Sequence, residues 1–110
     1  MTGATESEAD FLSWVIDLAR LHGWRVAHFR VALTGKGWRT PVQADGAGFP
    51  DLVLARELTE ANMQTHNRIL FVELKVEDAR LSPEQKVWVR LLGAEVWRPS
   101  MRDYIQEVMR

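Results

Sequence analysis

Apolar residues recur three and four positions apart between Ser7 and Leu21, where Phe11, Leu12, Val15, Ile16 and Ala19 share one stripe. That spacing predicts an amphipathic helix. His22-Gly23 closes it, because glycine accepts the left-handed backbone that commonly follows a last helical turn. The period then changes to two. Trp24, Val26, His28 and Arg30 alternate with Arg25, Ala27, Phe29 and Val31, which predicts a strand over Trp24–Ala32. Thr34 to Pro50 holds Gly35, Gly37, Gly46 and Gly48 in mostly polar company and reads as a long loop or loose hairpin. A connection of that length inside a small domain is commonly functional. Asp51–Ala55 is a short apolar run, a buried strand, and Ile69–Val76 is the clearest strand in the chain. The polar stretch Arg56–Asn67 between them fits either a short helical turn or an exposed excursion.

Ser82-Pro83-Glu84-Gln85 is a helix start. Serine suits the N-cap, proline the first helical position, and Gln85 completes a capping box. The helix directs Val87, Trp88, Leu91 and Leu92 inward and stops at Gly93. Glu95–Arg98 is a last strand, and Met101–Met109 a short helix with Tyr104, Ile105 and Val108 on one side. The order is helix, three strands, helix, strand, helix. It predicts a single α/β domain over residues 1–110, a mixed β-sheet flanked by helices, with residues 1–6 as a frayed terminus.

Composition narrows the function classes. The 110 residues suit one domain. The chain has no cysteine, which excludes disulfides and thiolate metal sites, and its three histidines are scattered, so none is assigned a catalytic role. No window approaches the ~18 consecutive apolar residues of a membrane span. The acidic, polar first residues do not resemble a secretory leader, so the expected location is cytoplasmic with no membrane partner. The formal net charge of -1 removes the simplest argument for nucleic acid, a strongly basic protein. Distribution restores part of it. No acid lies between Leu18 and Ala44, while Arg20, Arg25, Arg30, Lys36 and Arg39 do, so a basic face can exist on a neutral protein. Arg30, Lys36 and Arg39 are candidate phosphate contacts, with an ordinary solvated loop as the rival reading. Trp38 is a candidate for stacking on an exposed base, with local packing as its rival.

The chemistry concentrates in Asp51, Glu73 and Lys75. Side chains two apart on a strand share a face, so Glu73 and Lys75 point together while Leu74 and Val76 face the other way. Charges in a central apolar strand are costly unless paired or bound to a metal. If the strand at Asp51 lies beside the strand at Glu73, two carboxylates and an ammonium meet at one end of the sheet. Two hard carboxylates suit Mg²⁺ or Mn²⁺. Such a metal polarises a phosphate and lowers the pKa of a bound water. Lys75 would position or help deprotonate that water, or stabilise charge developing on the phosphate. The backbone carbonyl of Leu74 lies between the two side chains and offers a further ligand.

Pro50-Asp51 followed by Glu73-Leu74-Lys75 resembles the signature of the PD-(D/E)XK nuclease superfamily, whose core is restriction-endonuclease-like. More narrowly, the chain resembles the VRR-NUC group. The matching series begins with Glu8 on a first helix ending in Gly23-Trp24 and continues through Gly48–Leu52 and Val72–Lys75. It goes on to Leu81-Ser82-Pro83-Glu84-Gln85, Trp88 and Leu91–Val96, then Arg98-Pro99. The resemblance implies that Asp51 and Glu73 hold the metal and that Lys75 is the catalytic lysine. It implies that Gln85 reaches the site from the following helix, and that Glu8 matches an acid some members add to the metal site. It further implies DNA as substrate. Small stand-alone members, many of phage or bacterial origin, are similar to structure-selective nucleases that cut branched DNA such as flaps or Holliday junctions, often as homodimers. Trp14 and Leu21 extend the apolar surface of the first helix and are the sequence hints of a second copy. One departure is the 21 residues between Asp51 and Glu73, more than a tight hairpin needs.

Each residue also has a plain structural reading. Glu73 and Lys75 can form a surface pair, Asp51 can cap the turn after Pro50, and Glu8 can favour the helix dipole. Gln85 has a rival role, because the capping box would occupy its side chain. At the level of the whole chain, the expected activity is a divalent-metal-dependent DNA endonuclease. The first alternative is a catalytically silent DNA-binding module on a nuclease fold. The second is a small structural or interaction protein.

Overall fold

In the computed structural model the described residues are 7–29 and 42–110, with the backbone of two short strands at 32–34 and 37–39. The expected frayed terminus, residues 1–6, lies outside them.

Helix α1 spans Glu8–Leu21. The Ser7 hydroxyl accepts the Asp10 backbone N–H at 3.0 Å, and Glu8 and Asp10 place negative charge in the first turn, where the helix dipole favours it. Phe11, Val15 and Ala19, four residues apart, form its fully buried stripe. The chain turns at Gly23 (φ 80°) into β1 (Arg25–His28). This strand is shorter than the alternation predicts: its ladder ends at His28, and Trp24 precedes it in the core, where its indole N–H donates to the Met109 carbonyl at 2.9 Å.

The expected loop after β1 contains a small antiparallel pair, β2 (Ala32–Thr34) with β3 (Gly37–Arg39). Next come β4 (Leu52–Thr59) and β5 (Thr65–Leu74), which pair in register from Leu52↔Val72 to Thr59↔Thr65. The polar stretch Arg56–Asn67 is therefore neither helical nor a break in pairing. It is the far half of one long hairpin, closed by a turn in which Asn62 Oδ1 accepts the Gln64 N–H at 3.1 Å. Backbone hydrogen bonding extends these strands past the point where burial ceases to mark them. Helix α2 (Pro83–Leu92) then carries the chain across to β6 (Glu95–Trp97), which lies parallel to β5, a pairing that requires such a crossover. A 3₁₀ turn at Pro99–Met101 leads into α3 (Arg102–Met109).

The main sheet is mixed, in the order β1-β4-β5-β6. One face carries Leu52, Leu54, Val72 and Leu74, which bury against Phe11, Val15 and Ala19 of α1 and Ile105 and Met109 of α3. The opposite parity of β5 carries Phe71 and Glu73. Here the aromatic chain Phe71–Phe49–Trp88, with centroids 6.3 and 5.1 Å apart, connects the sheet to α2.

Two predicted faces differ from the observed ones. Val87 and Leu91 of α2 are exposed rather than inward, and so is Tyr104 of α3. Helix α2 has no fully buried residue; it reaches the sheet through Gln85, which bonds Glu73, and packs on the segment before β4 through Trp88 and Phe49. Tyr104 turns outward to donate its hydroxyl to Glu95 Oε1 at 2.7 Å.

Phe11→Ala should lower stability by about 3–5 kcal/mol, the usual cost of a buried phenyl group. Leu21→Ala, at a site 78% exposed, should change it by less than about 0.5 kcal/mol. Urea unfolding of the two variants beside the wild type checks both.

Candidate active site

Asp51 stands immediately before β4, and Glu73 is the penultimate residue of β5. Because Leu52 pairs with Val72, the two strands bring these acids to the same end of the sheet. The Leu74 backbone N–H donates to Asp51 Oδ2 at 2.8 Å. Asp51 is fixed from the other side as well, since its carbonyl accepts the Phe29 N–H at 2.9 Å. Glu73 is almost fully buried, 2% exposed, and is the buried charged residue among the described side chains. Its carboxyl stands beside that of Asp51, and the two interact electrostatically.

Gln85 reaches this pair from α2 while also closing the capping box. Its Oε1 accepts the Ser82 N–H at 2.8 Å, closing the capping box, while its Nε2 donates to Glu73 Oε2 at 3.1 Å. The amide has an acceptor end and a donor end, so capping leaves the donor free. Lys75 is half-buried just past the end of β5, its backbone N–H donating to the Trp97 carbonyl at 3.0 Å, and its charge acts on Glu73.

Burial, followed by the charge of Asp51, pushes the Glu73 carboxyl up to about 8, and Lys75 opposes the rise. Burial also raises Asp51, against the pull of the Leu74 amide, and the charge of Glu8 adds to the rise. The pair therefore resists double ionisation, as expected of two buried carboxyls side by side. Glu8, at the first position of α1, lines the same cleft as Asp51, Leu74 and His28. His28 was given no role from the sequence, yet the end of β1 brings it beside Asp51, whose carboxyl it draws downward. Its place four residues after the predicted strand start, on the same parity as Trp24 and Val26, was the available signal.

The segment before Asp51 is locked onto α2. Trp88 Nε1 donates to the carbonyls of Asp45 and Ala47 at 3.1 and 3.2 Å. Gly48 (φ 80°) lies so close to the first turn of α2 that a Cβ there would stand 2.7 Å from the Gln85 backbone nitrogen. Arg98 holds the segment after Lys75 by donating to the carbonyls of Val76 and Ala79 at 2.9 and 2.7 Å. These supports, Trp88, Gly48 and Arg98, set the spacing between the acids, the lysine and Gln85.

The candidate DNA contacts Arg30 and Lys36 lie outside the described residues, as do the side chains of Trp38 and Arg39. Among the described residues, no group of three His, Cys, Asp or Glu side chains stands close enough to hold a metal unaided. The donors that do meet are the carboxyls of Asp51 and Glu73, with the Leu74 backbone between them.

A mixed sheet flanked by helices, with these acids at the end of its central strands, is the architecture of an α/β nuclease core. The comparison with family models identifies which one: the VRR-NUC domain model matches residues 28–98, well over half of the chain. The chain belongs to the VRR-NUC family, and so to the nucleases, whose substrate is DNA. The matched segment includes Asp51, Glu73, Lys75 and Gln85 but not Glu8. Neither the curated proteins nor the solved structures gave a match. No helix among the described residues is long and apolar enough to cross a membrane.

Two predictions follow from the geometry. Gly48→Ala should cost about 1–3 kcal/mol from the left-handed backbone alone. It should also push the first turn of α2 outward, lengthening the Gln85–Glu73 contact; thermal melting and hydrogen exchange at Gln85 would register the two effects. The second concerns pH in the presence of a chelator. A carboxyl raised above its ordinary 4.5 gives its stability in full below that value and loses it as pH climbs towards about 8. The wild type should therefore lose stability between about pH 5 and 8, and Glu73→Gln, which imitates the protonated acid, should flatten that slope.

Proposed function

We propose that this chain is a divalent-metal-dependent DNA endonuclease that hydrolyses phosphodiester bonds with Asp51, Glu73, Lys75 and Gln85. The observation that carries the reading is the meeting of the Asp51 and Glu73 carboxyls at the end of the sheet, where burial raises both and each disfavours ionisation of the other. The donors fit Mg²⁺ or Mn²⁺, which prefer oxygen ligands and retain several waters. Asp51, Glu73 and the Leu74 carbonyl would hold the ion, and Glu8 would add a carboxylate from α1. When bound, the metal supplies Lewis-acid polarisation of the phosphate and a more acidic water.

The chain's own groups do the rest. The Leu74 amide and the Gln85 amide fix the orientation of the two carboxyls. Gln85 keeps Glu73 from rotating away, because the capping box anchors its other end. Lys75, whose charge acts on Glu73, would orient the attacking water and stabilise charge on the phosphate as the bond breaks. Arg30, Lys36, Trp38 and Arg39 would contact the DNA alongside.

Selectivity for branched DNA belongs to the same reading. Paired cuts across a four-way junction need two sites, which a symmetric homodimer supplies. Leu21 is well exposed and supports such a contact. Trp14 does not, because its ring stacks on Phe11 and lies 4.8 Å from the Arg102 guanidinium. The reading carries with it a cytoplasmic setting in a bacterial or phage-infected cell.

The test is cleavage of labelled single-stranded, duplex, flap and four-way-junction DNA with Mg²⁺, Mn²⁺ or EDTA. The wild type should cut only with metal. Lys75→Ala should lose at least about 100-fold in rate, as expected for removing a group that stabilises the transition state, and should keep its fold and most of its DNA affinity. Tight, salt-sensitive binding without cleavage in any metal would instead favour the silent binding module.

A further inference from the structure

The cleft beside Asp51 is larger and less polar than the chemistry proposed for it requires. It encloses about 500 Å³ between the first turns of α1 and the ends of β1, β4 and β5. Asp51 and Glu8 form its polar end. Ala9, Leu12 and Phe29 form an apolar wall, with His28 beside them. A hydrated cation and a phosphate are polar throughout and gain nothing from apolar surface. A nucleobase has the complementary character, with two apolar faces and a hydrogen-bonding edge. The wall is built to keep its shape. Phe29 is held edge-on by Phe49, with centroids 5.5 Å apart and planes at 88°. Its backbone is tied to Asp51, so the aromatic wall and the acid move as one. Leu12 is anchored in the core, whereas Ala9 and His28 are exposed at the opening.

We propose that this cleft is a subsite for one unpaired nucleobase adjoining the phosphodiester that is cut, its face against Leu12 and Phe29 and its edge towards His28. The proposal rests on the nuclease reading and deepens it by naming the substrate feature the site recognises. A nucleotide in intact duplex must leave its stack and its partner to enter the cleft, whereas one at a flap, a branch or a single strand is already free. Preference for unpaired DNA then arises within one chain, while paired cuts across a junction still draw on a second copy.

The test begins by mapping the cut made by the wild type on a flap substrate. The base on either side of that position is then replaced by an abasic nucleotide, one side at a time. Ala9→Phe fills the cleft from an exposed helical position and removes no group from the acid–lysine site. On one of the two sides, the abasic change should slow the wild type at least tenfold. Ala9→Phe should lose at least tenfold in kcat/KM on the normal substrate and little or nothing further on that abasic one. Phe29→Leu, which keeps an apolar side chain but loses the flat ring, should show the same pattern with a smaller loss. Circular dichroism melting of both variants separates loss of the fold from loss of the subsite. Equal losses on normal and abasic substrates, or no loss at all, would overturn the subsite while leaving the nuclease intact. A wild type that cuts no DNA with either metal would overturn both.

Discussion

Asp51 and Glu73 meet because Leu52 pairs with Val72. That register places one carboxyl at the start of β4 and the other near the end of β5, and the Leu74 amide ties them together. A shift of one residue would turn Glu73 to the opposite face and insert Leu74 or Val72 in its place. The buried side of the strands forbids that shift, because Leu52, Leu54, Val72 and Leu74 must all face α1 and α3. Hydrophobic burial on one face of the sheet therefore fixes the geometry of charged groups at its end.

The same economy governs the supports. Helix α2 contributes little to the core, having no fully buried residue. It is held at its N-terminus, where Gly48, Phe49 and Trp88 interlock, and this is the turn that carries Gln85 to Glu73. Far from the site, another cluster anchors the helices. Arg56 lies 4.3 Å over the Trp24 ring and donates to the His22 carbonyl at 3.0 Å and the Arg110 carbonyl at 2.6 Å. Its cross-strand neighbour is Arg68, a like charge that would ordinarily weaken the pair. Carbonyls at the ends of α1 and α3 and the Trp24 ring offset that repulsion, so the outer half of the hairpin braces both helices.

Much of this was legible in the residues. The 3.6-residue stripe of Phe11, Val15 and Ala19, the cap at Ser82 and the glycine at 93 are local signals, and the elements they mark are where they were expected. The acid–acid–lysine set was legible for a different reason. Charges inside apolar strands are costly, so their presence needs a purpose. What failed were inferences about which face of an element is covered. Val87 and Leu91 have helical spacing but are exposed, and Arg56–Asn67 lacks apolar alternation yet is paired on both sides of its turn.

The sequence by itself determined most of the elements and singled out Asp51, Glu73, Lys75 and Gln85 as the candidate groups, because caps, periodicity and misplaced charge are properties of neighbouring residues. Only the tertiary structure decided what those groups do to one another. Whether Asp51 touches Glu73, whether Gln85 caps or reaches, and whether His28 stands apart or beside an acid all depend on strand register and on a crossover helix. These relations are set by contacts between residues far apart in the chain, where burial of apolar side chains selects one arrangement and local preference is silent.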